Sequence, residues 1–333
     1  MKTLETATLS TALTQDAAIR VPLICGPMYP CSNVELVAAV SEAGGLGVVQ
    51  PVSLTFVEGL KFRQGLQKIR ELTQKPIAMN VLIEKSSQRY HQKMIEWVDS
   101  ALDEGVRFFI TSLGKPDWVV KRVSEVGGLV YHDATERQWA QKALDAGVNG
   151  LIAVNQRAGG HLGNDSKEAL FDELADLGLP LVCAGGIGNA TQYREAMDLG
   201  YVGCQLGTRF IATKECSASD AYKQAIVDAD ESQIVASERI TGVPVSVINT
   251  DYIKSQGLKA GKFSRWMLNN NKRKHWMRLF YTLRSAFQLR NTMQDPKTAK
   301  DFWQAGKSVA GITQIEAVAD IVNDFEHSIG HLY

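Results

Sequence analysis

PLVCAGGIGNATQYREAMDLGYVGCQLGTRF, residues 180–210, is the stretch whose reading decides the fold. An apolar run (180–184) breaks at a glycine turn, continues as an amphipathic helix over 189–199 closed by Gly200, and is followed by a second apolar run, VGCQLG (202–207). Strand, glycine turn, helix and strand in that order make a parallel βα unit. Its position in the chain is what discriminates. An open dinucleotide-binding sheet carries its glycine fingerprint after the first strand and needs about six strands. Here G-I-G-N-A (186–190) follows the seventh, and the turn after the first strand reads GPMYP.

Six further units precede this stretch. Strands are expected at 21–26, 46–50, 76–82, 107–112, 128–132 and 149–155, with helices near 33–43, 57–72, 88–104, after Pro116, at 135–146 and at 166–177. Glycine closes helix after helix (Gly44, Gly105, Gly147, Gly178, Gly200), the usual C-terminal stop. Eight strands by residue 207 predict an α/β fold, a (β/α)8 TIM barrel over 1–220, in preference to a Rossmann-type sheet. The repeat then stops. Residues 221–302 read as a mainly helical insertion after strand eight, and 303–333 as a C-terminal helix, near 313–328, returning to the barrel. Residues 252–294 hold ten Lys/Arg and no Asp or Glu, so the rest of a chain of net charge +0 carries a formal −10. Trp276, Leu279, Phe280, Leu283 and Phe287 recur there at helical spacing, which predicts a basic amphipathic helix, read as a solvated face or as a lid.

The chain of 333 residues, 45% apolar and 22% charged, can bury a core large enough for a cofactor. Zero net charge argues against a protein built to hold nucleic acid. Five cysteines without a CxxC pair are expected to be small buried packing residues, with no metal site, in a reducing compartment. The polar first twenty residues and the lack of an ~18-residue apolar run predict no membrane insertion and a cytoplasmic location.

The working face of such a barrel is the C-terminal end of its strands. AGGIGN (184–189) and LGTRF (206–210) follow strands seven and eight, where backbone N–H groups at Gly185, Gly186 and Gly207 and the Thr208 hydroxyl can take a phosphate. The bland alternative is that these glycines only make tight turns. AGGHLG (158–163) follows strand six: Gly159 and Gly160 let backbone approach a flat ligand, and His161 suits proton transfer and anion stabilisation. A lone histidine is more often structural; this one gains weight from its glycines. Asn80, ending strand three, can donate and accept toward a ring bearing N–H and C=O groups, or can simply cap a turn. His132, ending strand five, is expected on the same face, with nothing beside it to fix a role.

The chain resembles the nitronate monooxygenases (2-nitropropane dioxygenases), which share fold and FMN with flavin-type enoyl-acyl-carrier-protein reductases. The resemblance rests on GPM (26–28), SEAGGLGVV (41–49), MN (79–80), AGGHLG, AGGI (184–187) and QLGTRFIATKEC (205–216), with AGK…G (305–311) a weaker match. It implies FMN held at its phosphate by Gly185, Gly186, Gln205, Gly207 and Thr208, with Asn80 and the Gly26, Pro27 and Met28 backbone at the ring and Gly159 and Gly160 close by. It implies His161 as the catalytic residue, nitronate and dioxygen as substrates, NAD(P)H as an optional further one, and a homodimer as an allowed assembly. Arg157 and Val154 stand where the family usually has an acid and a glutamine, and Tyr29 and Pro30 give the first loop an uncommon shape. The competing readings are an NAD(P)H-dependent FMN reductase of enoyl-thioesters or quinones, a phosphate-binding barrel without redox chemistry, and a non-catalytic binding module.

Overall fold

The structure, a computed structural model, describes residues 10–84, 87–238, 244–259 and 302–330. Eight parallel strands close a barrel: β1 Leu23–Cys25, β2 Leu46–Val49, β3 Ile77–Ile83, β4 Phe108–Leu113, β5 Leu129–Ala134, β6 Gly150–Val154, β8 Leu181–Ala184 and β9 Gly203–Leu206. Closure is made by β1 pairing with β9, Ile24 opposite Gln205. The remaining short strand of this region, β7 Gly160–His161, belongs to a different sheet. The barrel excludes the open Rossmann-type alternative.

The helices α2 Val34–Glu42, α3 Phe62–Leu72, α4 Gln88–Asp103, α5 Asp117–Ser124, α6 Arg137–Leu144, α7 Lys167–Leu174 and α8 Ala190–Asp198 alternate with the strands. In α3, Phe62, Leu66 and Ile69 are buried at i, i+4 and i+7, which sets the face laid on the sheet. The helix expected over 57–72 starts later than the pattern suggests. A π-helical turn, Ser53–Val57, precedes it, and Gly59 at φ +68° separates the two.

Strand alternation divides the core into two layers. Ile24, Ala78, Ile110, Tyr131, Ile152 and Val182 fill the barrel interior, while Cys25, Met79, Phe109, Val130, Ala153 and Cys183 face the helices. A short helix, α1 Ala12–Ala17, closes the N-terminal end of the barrel. Its Thr11 and Thr14 form a capping box, and Leu13 and Ala17 join the interior cluster. Gly203 has no side chain because Leu13 occupies that space, and the Tyr131 hydroxyl donates to Asp16 Oδ2 at 2.8 Å.

After β9 come α9 Thr208–Ile211, α10 Asp220–Asp228, β10 Ile234–Ser237, β11 Val245–Ile248 and α11 Asp251–Gln256. The described part of the insertion therefore contains strands as well as helices. β10 and β11 are antiparallel, and β11 also pairs with β7, Val245 opposite His161 and Ser246 opposite Gly160. The basic helix expected around Trp276–Phe287 lies outside the described residues. The C-terminal helix, Val318–Ile329, packs back against the barrel, where Phe325 stacks on Tyr193 of α8 at 5.1 Å. All five cysteines are buried and unpaired. Among the described residues no helix is long and apolar enough to cross a membrane, and no His/Cys/Asp/Glu cluster could hold a metal.

Candidate active site

Three polar side chains top the apolar interior at the C-terminal ends of the strands. On β3, Ala78 faces inward, so Asn80 two residues on does too. On β5 the same step leads from Tyr131 to Asp133. On β9, Gln205 shares its level with the inward Ile24. Asn80 Oδ1, Asp133 Oδ1 and Gln205 Oε1 are each buried without a hydrogen-bond partner among the described residues. Orphaned buried acceptors are rare, and three at one barrel mouth are acceptors that a polar ligand could satisfy. Gly26 belongs to this arrangement: a Cβ there would stand 3.0 Å from Gln205 Cγ, so glycine lets Gln205 lie across the mouth. Burial pushes the Asp133 carboxyl up to about 7.

His132 is not part of the mouth. It lies on the outer side of β5, where Nδ1 sits 2.8 Å from Thr111 Oγ1 and burial lowers its pKa to about 4. The expectation that it shares the working face is corrected by strand alternation: its neighbour Asp133 is the residue that points in.

His161 is held by main-chain pairing with β11, Val245 opposite it in register. The residue is exposed, and partial desolvation of its ring keeps its pKa below the ordinary imidazole value. It is therefore uncharged at neutral pH, the form that can accept a proton.

The glycine turns converge on one side of the mouth. Gly185 and Gly186 both have positive φ, +117° and +79°. Asn155, at the end of β6, ties this turn to the AGGHLG loop: its Nδ2 donates to the Gly185 carbonyl (3.0 Å) and its Oδ1 accepts from Arg157 N (2.8 Å). Arg157 lies over Gly186, where a Cβ would come within 2.7 Å of its Nε. Its guanidinium forms a bidentate pair with Glu231 at 2.6 and 2.7 Å, and Lys307 stands 3.5 Å from the same carboxylate. The basic residue in place of an acid is thus neutralised from the insertion. The N-terminus of α8 caps itself: Gly188 N donates to Gln192 Oε1, and Gln192 N to Asn189 Oδ1.

Thr208 Oγ1 accepts from Gly306 N at 2.9 Å, which leaves its own proton to donate. Gly159 packs between these two, and Gly306 cannot carry a side chain, since a Cβ would meet Gly159 N at 2.5 Å and Arg157 O at 2.7 Å. Gly207 faces the Met28 thioether, 3.5 Å from where its Cβ would be. Met28 N and O are both engaged with Ser32, and Gly26 N with Leu206 O. The Gly26–Pro27–Met28 loop therefore offers close approach rather than free donors. Tyr29 packs into a small apolar cluster with Val245, Val247, Ile253 and Phe302, docking this loop on the insertion.

Asp133, Glu231 and Gly306 escape the sequence reading. Asp133 had a usable signal, the period-two step from Tyr131; AGK…G at 305–311 pointed toward Gly306; nothing local points to Glu231.

Fold and side chains together define a closed β/α barrel with buried, unbonded polar atoms at its strand ends and a histidine paired through its backbone to β11. The chain belongs to the nitronate monooxygenase family, whose sequence profile matches residues 10–327, and is an oxidoreductase. A probable nitronate monooxygenase of Staphylococcus saprophyticus is 28% identical over 288 residues, covering 74% of this chain and 80% of that protein. A (3aS,4S,5R,7aS)-5-hydroxy-7a-methyl-1-oxo-octahydro-1H-indene-4-carboxyl-CoA dehydrogenase of Rhodococcus jostii is 26% identical over 250 residues, 75% and 68% of the two chains. Among solved structures, FabK from Thermotoga maritima superposes with a TM-score of 0.77 at 25% identity, covering 98% of this chain and 99% of that one. The nitroalkane oxidase of Streptomyces ansochromogenes shares the fold, with a TM-score of 0.71 at 21% identity and 97% and 100% coverage.

Proposed function

We propose that the chain is an FMN-dependent oxidoreductase that oxidises alkyl nitronates with dioxygen. The observation that carries the cofactor is the set of orphaned polar atoms on Asn80, Asp133 and Gln205, set beside the glycine turns. A flavin ring bears alternating N–H and C=O groups that such side chains can satisfy, and the turns suit a phosphate. Gly185, Gly186, Gly207 and Thr208 would hold the phosphate, with Gly159 and Gly160 bordering it. Asn80 and Gln205 would meet the ring, and the Gly26–Met28 loop would lie against it. When bound, the flavin would take electrons from the substrate and pass them to dioxygen.

His161 supplies the acid–base chemistry. Uncharged at neutral pH, its ring takes a proton from a neutral nitroalkane, or lies beside an anionic nitronate as hydrogen-bond donor. The hairpin-like pairing with β11 fixes the direction from which it approaches. Arg157 is committed to Glu231, so the cation nearest the glycine turn is not free to bind a substrate anion.

A second reading, an NAD(P)H-dependent FMN reductase of enoyl-thioesters or quinones, is favoured by one observation: relatives of this chain include a carboxyl-CoA dehydrogenase, and its neighbours in fold include FabK. An anaerobic absorbance titration separates the two. Bleaching of the flavin band by a simple alkyl nitronate alone supports the monooxygenase. Bleaching only by NADH or NADPH supports the reductase. Absence of a flavin band after reconstitution with FMN sinks both.

A further inference from the structure

We propose that Asp133 hydrogen-bonds the polar edge of the flavin ring, as a third contact beside Asn80 and Gln205. The inference rests on the FMN reading given above. The motifs that carry the family resemblance do not include this residue. Three observations converge on it. It faces the barrel interior by alternation from Tyr131, with the apolar Ile152 opposite it in register, so the surface beneath offers no partner. Its Oδ1 is buried and unbonded among the described residues. The polar groups nearest in sequence are committed elsewhere: the Tyr131 hydroxyl reaches down to Asp16, and His132 turns outward to Thr111.

A carboxyl in this position costs the empty protein stability unless something entering the mouth satisfies it. Burial is the sole cause of its raised pKa, with no cation compensating the charge, so the un-ionised acid persists close to neutrality. In that form one O–H can donate to a ring carbonyl or nitrogen, while the other oxygen still accepts. Asn80 and Gln205 each bring both a donor and an acceptor. Together the three can match an edge on which donors and acceptors alternate.

The test uses full-length protein stripped of flavin, with FMN affinity read from quenching of flavin fluorescence and stability from thermal melts of the apoprotein. Asp133→Ala should weaken FMN binding about tenfold, the loss of one hydrogen bond to a buried group. Asp133→Asn, which keeps a donor and leaves no cavity, should bind within about threefold of wild type and melt at or above the wild-type apoprotein. An Asp133→Ala protein with wild-type FMN affinity overturns the assignment, even if its KM for nitronate changes. A lowered apoprotein melting temperature in Asp133→Asn also overturns it, because the carboxyl would then be serving the fold. Wild-type apoprotein that binds no FMN removes the flavin reading and this contact with it; binding by wild type together with indifference in Asp133→Ala removes the contact alone.

Discussion

Between Tyr131 and Ala134, β5 sets a histidine behind the sheet and a carboxylic acid inside the barrel, and burial moves their pKa values in opposite directions. For His132 the folded value, about 4, lies below the usual 6.5, so the folded protein binds fewer protons than the unfolded chain between those values. Its contribution to stability is complete above pH 6.5 and is lost as pH falls toward 4. For Asp133 the folded value, about 7, lies above the usual 3.8, so its contribution is complete at low pH and is lost as pH rises through 7. Each slope is at most about 1.4 kcal/mol per pH unit, and over the shared window the two oppose. Thermal melts of the apoprotein should therefore show Asp133→Asn gaining stability from about pH 4 to 6.5, and His132→Gln losing it over the same range. Parallel curves for wild type and both variants would contradict the pair. His161→Asn should keep FMN bound yet lower turnover by roughly 10²–10⁴-fold, as loss of a general base requires; unchanged single-turnover rates would end that role. His161 stands out in the sequence as a candidate because glycines flank it. Asp133 does not stand out, because aspartate is a poor strand former and the apolar pattern of strand five stops at His132.

The two-residue strand β7 owes its position to β11, some eighty residues later, so the histidine loop depends on the insertion through backbone bonds. Ser246→Pro removes an N–H from this ladder and restricts φ. It should cut kcat by about tenfold or more through a misplaced His161 while FMN affinity changes little; equal losses in both would mean that the sheet supports the whole cleft. Gly306→Val is the complementary test on the other side. Its side chain would run into backbone at Gly159 and Arg157, which cannot yield as a flexible side chain would, and the purified protein should emerge largely free of flavin by its absorbance ratio. Elements of the barrel could be read from the chain because each βα unit carries its own apolar run, helix and glycine stop. The sheet of β10, β11 and β7 could not. Its strands are short, its partners are distant in sequence, and the basic helical pattern beside them is the stronger local signal.

Eight local units explain why the barrel is legible from sequence, whereas its seams depend on side chains from distant parts of the chain. The C-terminal helix is one such seam, fastened to α8 by Phe325 on Tyr193, whose hydroxyl reaches the Pro22 carbonyl just before β1. Phe325→Ala should cost about 3–5 kcal/mol, read as a lower urea midpoint with an unchanged slope; a midpoint within error of wild type would show that the helix is dispensable. The other seam is α1, which fills the opposite end of the barrel with Leu13 and Ala17 and anchors Tyr131 through Asp16. Among the described residues, Leu13 and Ala17 pack into the interior at that end, which leaves the strand ends as the face on which the polar side chains gather. On the flavin reading proposed above, the reductant and the oxidant would meet the cofactor at this same face one after the other, and double-reciprocal plots of steady-state turnover should then run parallel; converging plots would count against that order.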